Sequence, residues 1–302
     1  MSSGNAYDLS ELPAPGGGPD QGDRRSRLFG GKSALRKEGA KGVAIAVLST
    51  VVVLGAIVWI VVHSKNWPAV KQAFFNGQEF KDTFPRIARA FVHNIEWCLI
   101  AEAFILAFAL LLAILRNLPG PVFFPLRLMV IVYTDVFRGI PLILLVYLLG
   151  FGIPSLQLPG LPNSAAFWGI VALILCYSAY VAEVYRAGLD SVHPSQTAAA
   201  RALGLSRWKT LRFVVVPQAV RNVLPPLLND FIGLQKDTAI VGFVALTVDA
   251  MKQAQIDQSG DFNFTPLLCA TLLFLLITIP LTRLVDVLIS RQRARRLGGT
   301  AV

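Results

Sequence analysis

Between Val43 and Val62 the chain runs for twenty residues without an Asp, Glu, Lys or Arg. As a helix that stretch is about 30 Å long, the thickness of the hydrocarbon core of a bilayer. A basic leader and a small-residue cleavage site, the marks of a removable signal segment, are not its context, so it reads as a retained span. Five further stretches, about 91–115, 126–149, 164–188, 223–247 and 264–289, are apolar enough to insert, although several carry an internal charge, proline or glycine. The composition agrees: 54% of the 302 residues are hydrophobic and only 15% are charged, against roughly 25% in a soluble domain, with a mean hydropathy of +0.58. The expected fold is therefore all-α and polytopic, with six transmembrane helices. A soluble enzyme is excluded.

The net charge of +10 belongs to the connections between apolar runs and not to a nucleic-acid-binding face. Eighteen Lys and Arg fall in 1–42, 116–127, 189–222 and the C-terminal stretch, including Arg291, Arg293, Arg295 and Arg296. Six fall on the alternate side (Lys65, Lys71, Lys81, Arg86, Arg89 and Lys252), and four lie within spans. The positive-inside rule then puts both termini and the 189–222 loop in the cytoplasm. The expected organisation is a disordered tail over 1–42, a first span at 43–62, an external segment at 63–90, a five-helix core at 91–289 containing the loop at 189–222, and a basic tail at 290–302. Residues 1–42 are rich in Gly, Pro and charge and lack the apolar area that would offset the entropy of ordering.

No catalytic constellation is present. The three histidines, His63, His93 and His193, are scattered, and Cys98, Cys176 and Cys269 lie inside apolar runs at no metal-ligand spacing, so no metal site is expected. Gly30-Gly31-Lys32-Ser33 imitates the end of a phosphate loop, but Ser26 stands where its first glycine belongs. What remains is polarity inside the membrane, where a central charge costs at least about 2.5–3.5 kcal/mol and so faces a cavity or a partner. Asp135 and Arg138 sit three apart beside Gly139 and Pro141, either as a mutual ion pair or at a broken helix that opens a polar site. Glu183 either holds an amine or pairs with Arg186. Asn229, Lys236 and Asp237, with Asp230, make the fifth span too charged to face lipid. Glu96 and Glu102 are weaker candidates.

The segment Gln196-Thr197-Ala198-Ala199-Ala200-Arg201-Ala202-Leu203-Gly204-Leu205-Ser206-Arg207-Trp208 reads as a short Ala-rich helix, a left-handed glycine and a second helix capped by Ser206, with Val214-Val215-Val216-Pro217 closing the unit. It is either a knob that another protein's cleft grips or an amphipathic surface loop. These residues resemble the coupling loop of permease subunits of binding-protein-dependent ABC importers. Phe137-Arg138-Gly139-Ile140-Pro141, Ser178-Ala179-Tyr180-Val181-Ala182-Glu183, Ala199-Ala200-Arg201-Ala202-Leu203-Gly204, Val216-Pro217-Gln218-Ala219 and Lys236-Asp237-Thr238 resemble, in order, the branch that imports polar amino acids. The resemblance covers about residues 86–291. It implies a subunit that carries a glutamate- or glutamine-like amino acid across a bacterial cytoplasmic membrane and binds no cofactor itself. ATP and Mg²⁺ would lie on a pair of ATPase subunits, with a second permease subunit and an external solute-binding protein as further partners. Ala198, Ala199, Ala200, Arg201, Gly204, Leu205 and Pro217 would form the ATPase contact, and Arg138, Glu183, Asp135, Asn229, Lys236 and Asp237 the substrate path. One departure stands out: Ala198 occupies the position of the family's glutamate, so the acid that would strengthen docking is missing. Rival readings are an ion-gradient-driven transporter or channel, which the loop would not explain, and a structural half of a heterodimeric permease.

Overall fold

A computed structural model describes residues 39–245 and 248–298, and all regular structure among them is helical. The tail expected over 1–42 lies almost wholly outside the described residues. Helix α1, Gly39–Val62, contains the first apolar run, and none of its described side chains is buried. The chain divides at Pro68 into two units, α1 belonging to the first.

Helix α2 (Trp67–Phe74), which contains that boundary, leads to α3 (Gly77–Arg116) in the second unit. The helix expected over 91–115 thus begins fourteen residues early. Asn76 caps it, its side chain accepting the N–H groups of Gln78 and Glu79, and the charged residues that follow lower hydropathy without opposing a helix. The span expected over 126–149 is broken: α4 (Phe124–Gly139) and α5 (Leu142–Tyr147, continued through a π turn to Ser155) meet at 101°. Next come α6 (Ala165–Asp190), α7 (Pro194–Ala202), α8 (Arg207–Thr210), α9 (Val216–Ala245), α10 (Ala250–Asp261) and α11 (Thr265–Gly298).

By length and apolarity four described helices can cross a membrane, and five if the bent α4–α5 pair is one span. The sixth expected span lies within α9, whose 30 residues are long enough but carry Arg221, Asp230, Lys236 and Asp237. That charge needs protein or a cavity beside it, not lipid.

Helices α3, α6 and α9 make the central core. Trp97, Ala101, Ile105 and Ala109 recur along one face of α3 and pack with Leu173 and Val181 of α6 and Leu234 and Val241 of α9. Glycines let α6 and α9 approach closely: a Cβ on Gly169 would lie 2.6 Å from Val241 Cγ1, and one on Gly188 would collide with Val223. Two smaller clusters extend the core, Ile87 and Phe91 with Ala254, Cys269 and Leu273, and Leu145 and Val146 with Ala172, Cys176 and Val244.

Candidate functional site

The first polar site lies where α4 stops. A residue before proline is driven out of the helical region and proline has no N–H to offer, so Ile140 (φ −81°, ψ 129°) and Pro141 (φ −57°, ψ 128°) are extended. The break frees carbonyls, and α6 supplies donors to them. Tyr180 Oη donates to Arg138 O at 3.2 Å, and Cys176 Sγ to Phe137 O at 3.6 Å. The Arg138 guanidinium lies 5.6 Å from the centre of the Tyr180 ring, within cation–π range.

A cleft of about 420 Å³ opens against this break. Arg138, Gly139, Ile140 and Pro141 line one side, Tyr177 and Tyr180 of α6 another, and Asp230 and Asp237 of α9 a third. Asp230 and Asp237 are seven apart and share a face, with Gly233 between them. The Tyr177 ring lies over that glycine, its oxygen 3.1 Å from where a Cβ would stand, and its hydroxyl donates to Asp237 Oδ2 at 2.7 Å. Among the described residues Asp230 Oδ2 is buried with no hydrogen-bond partner. The cleft is therefore lined by a cation on one wall and by two aspartates on another, one of which, Asp230, has a carboxylate oxygen without a hydrogen-bond partner.

Of the residues singled out from the sequence, Arg138 and Asp237 line this cleft and Asp135 does not. No ion pair joins Asp135 to Arg138 among the described residues; both side chains are exposed. Asn229 and Lys236 share a separate, exposed face, about 100° around α9 from Asp230 and Asp237. Glu183 lies elsewhere. Its carboxylate is held by Arg116, at the end of α3, and by Arg186 at 2.9 Å, and Arg186 reaches on to Asp190 at 2.7 Å. Glu183 thus adopts the alternative pairing with Arg186, strengthened by a second arginine 67 positions away. Glu96 is exposed against His93, and Glu102 is half-buried.

The second site is the loop between α6 and α9. Gly204 has φ +82°, and the hydrogen bonds Leu205 N to Ala200 O (3.2 Å) and Gly204 N to Arg201 O (3.0 Å) complete a Schellman motif at the end of α7. Ser206 Oγ accepts from Lys209 N and caps α8, typically worth about 1 kcal/mol. Ala200 is buried beneath the turn while Ala198, Ala199 and Arg201 are exposed and Leu205 is half-buried. Leu203 is 83% exposed and Trp208 66%, a large apolar display beside Arg201, Arg207 and Lys209. Pro217 does not close the unit as expected. A π turn over Leu211–Val215, in which Val216 N reaches back to Leu211 O, widens the helix so that the chain runs from α8 into α9 past the proline ring.

Sequence reasoning missed Arg116, Tyr177 and a buried knot near the middle of α3. There Asn94 Nδ2 donates to Asp249 Oδ2 (2.8 Å) and Thr238 Oγ1 (3.2 Å), and Asn94 Oδ1 accepts from Ala250 N (3.1 Å). Arg116 had a signal, as the charge that ends an apolar run. The partners of Asn94 are over 140 positions away and had none. No group of metal-ligating residues occurs among the described residues.

The sequence pattern of the family described as "Binding-protein-dependent transport system inner membrane component" matches residues 105–294. The chain is 34% identical over 202 residues to a protein named probable glutamine ABC transporter permease of Bacillus subtilis, covering 67% of this chain and 90% of that one. It is 37% identical over 151 residues to an arginine transport system permease protein of the same organism, covering 50% and 68%. Among solved structures it is similar to one titled crystal structure of an amino acid ABC transporter with histidines, with a TM-score of 0.61, 30% identity and coverage of 68% of this chain and 94% of that one.

Proposed function

Because this chain belongs to the inner membrane components of binding-protein-dependent transport systems, we propose that the cargo it passes, as permease subunit of an ABC importer, is a polar amino acid. It is a transporter subunit and not an enzyme. The relatives named for glutamine and arginine support the cargo class, since both amino acids share one α-carboxylate and one α-ammonium whatever their side chains.

The observation that carries the reading is the cleft at the α4–α5 break. The planar fork of Arg138 can bind both oxygens of a carboxylate, and the carboxylate of Asp230, on a different helix of the same lining and with one oxygen unpartnered, is the acceptor we assign to an ammonium. Asp230 here takes the part expected of Glu183, whose carboxylate is already engaged by Arg116 and Arg186. A cavity with one cation and one anion replaces the water lost from both ends of a zwitterion; a volume of about 420 Å³ is in the range of small-molecule sites.

In this reading the 191–215 loop faces the cytoplasm together with both chain termini. Its turn enters the cleft of an ATPase subunit, one of a pair that holds ATP and Mg²⁺; this chain binds neither. A second permease subunit completes the pathway, and an external solute-binding protein delivers the cargo on the other face of the bacterial cytoplasmic membrane. The exposed Leu203 and Trp208 support a protein contact at the loop, and the six external against eighteen cytoplasmic Lys and Arg support the orientation.

The test is uptake of radiolabelled glutamine and arginine by vesicles containing the transporter with its co-purifying subunits. Arg138→Lys keeps the charge and loses the fork, and Asp230→Asn removes the anion at nearly constant volume. Each removes a charge-assisted bond worth about 1.5–3 kcal/mol, so apparent affinity should weaken roughly 10- to 100-fold. Wild-type affinity in both variants at equal membrane levels would refute the site. Purification without any ATPase subunit would favour a gradient-driven transporter.

A further inference from the structure

The ion cluster around Glu183 is in no substrate cleft, yet it sits where three helices and the loop meet. Glu183, Arg186 and Asp190 share the last turns of α6, immediately before the loop begins. The base of the loop is closed by Asn222 Nδ2 donating to Ser191 Oγ at 2.6 Å, and Gly188 lets Val223 pack directly on α6. The end of α6, the loop and the start of α9 are therefore one packed body. Helix α3 joins that body through Arg116, whose side chain is 24% exposed against 16% for Glu183. Apolar helix faces can slide past one another in shear, whereas a half-buried charge-assisted contact has one favoured register.

The middle of α3 is also fixed. Asn94 is fully buried in its bonds to Thr238, Asp249 and Ala250, and Arg86 reaches Asp257 of α10 at 3.3 Å. From Asn94 to Arg116 is 22 residues, about 33 Å of helix, the thickness of the hydrocarbon core.

We propose that Arg116 is a positioning residue that makes α3 follow the loop, so that nucleotide binding at the ATPase is felt at the opposite membrane face around Asn94 and Asp249. The proposal rests on the reading of the loop as the ATPase contact. Its physical content is a stretch of α3, Asn94 to Arg116, held at both ends by polar contacts, with one end in the body the ATPase moves.

The experiment uses the transporter purified with its ATPase subunits in vesicles and a Lys252→Cys reporter in the first turn of α10, beside the knot. The native cysteines are buried. Labelling by a membrane-impermeant maleimide is timed without nucleotide and with ATP plus vanadate. In the parent the rate should differ at least fivefold between the two states. Arg116→Gln should reduce that difference below twofold while ATP hydrolysis stays within twofold of the parent, and Arg116→Lys should restore much of it. Glu183→Gln removes the same contact from the other side and serves where Arg116→Gln does not assemble. Arg283→Gln, at an exposed pair with Asp286 on α11, should leave the response intact. A full nucleotide response in Arg116→Gln or Glu183→Gln, or no response in a parent that hydrolyses ATP, would overturn the proposal. A parent complex without ATP hydrolysis would instead defeat the reading of the loop, and this inference with it.

Discussion

A Cβ on Gly188 would collide with the Val223 side chain, so that position is closed by packing, whereas Gly204 is restricted by its backbone. A Cβ on Gly204 would meet nothing within 4 Å, so the cost of replacing it is backbone strain alone, about 1–2 kcal/mol for an L-residue held at φ +82°. Asparagine tolerates that conformation and a β-branched residue does not. Gly204→Asn should therefore keep most cargo-stimulated ATP hydrolysis, whereas Gly204→Val should lose most of it with membrane insertion unchanged; equal behaviour of the two variants would show that the turn's conformation is not what the partner grips. Ala198→Glu, restoring an acid on the exposed face of α7, should be tolerated or strengthen coupling, as read from the ratio of cargo moved to ATP hydrolysed. Side chains reached from one stretch of chain, such as Gly204, Ser206 and the Gly139–Pro141 break, were legible in the sequence because their cause is local. The partner of Glu183 was only half legible: Arg186 lies one turn away, while Arg116 belongs to a helix the sequence places nowhere in particular. Asp230 was seen as a charge but not as the free carboxylate of a cleft, since that depends on Tyr177 occupying Asp237.

Among the helices, α10 depends most on one side chain. Asp249 caps it by accepting Lys252 N at 2.8 Å, bonds Asn94, and packs on Gly242, where a Cβ would collide with the carboxylate. Burial pushes the Asp249 carboxyl above the ordinary aspartate value, with the Lys252 N–H and the Asn94 amide pulling the other way. A raised folded value means that this group's contribution is complete below the ordinary value, about 4, and fades as pH rises through the raised one. Asp249→Asn keeps the cap, sets an amide donor against that of Asn94 and removes the titration. The parent should be the more stable at pH 4, and its advantage should narrow towards pH 8, as thermal unfolding in detergent would measure; a constant gap would contradict the assignment. Asp249→Ala loses cap and acceptor together and should cost about 2–4 kcal/mol at either pH. The apolar runs foretold the spans because their cause is hydropathy, but α3 begins at Gly77 on a polar cap and charged turns that hydropathy does not see, and α9 is a helix of span length that fails the apolar test.

Across the whole molecule, the distribution of Lys and Arg supports the proposed orientation, with the α6–α9 loop in the cytoplasm, and single cysteines check it. Exposed Ser195 of α7 should react with a maleimide only when the cytoplasmic face is open, while Gln78 and Ser259, near the start of α3 and the end of α10, should react from outside in intact cells. Reaction of a Ser195→Cys variant in sealed cells would reverse the topology. The glycine-to-valine contacts between α6 and α9 have a consequence for heredity. At Gly169 and Gly188 a missing side chain on one helix is the seat of a branched one on the other, so neither member of a pair can drift alone. Gly169→Ala should slow growth on a transported amino acid as sole nitrogen source, and shortening Val241 to alanine in the same chain should recover it. Each pair then behaves as one inherited unit written in two places 72 or 35 codons apart, in which the glycine can gain a side chain only after the valine has lost one.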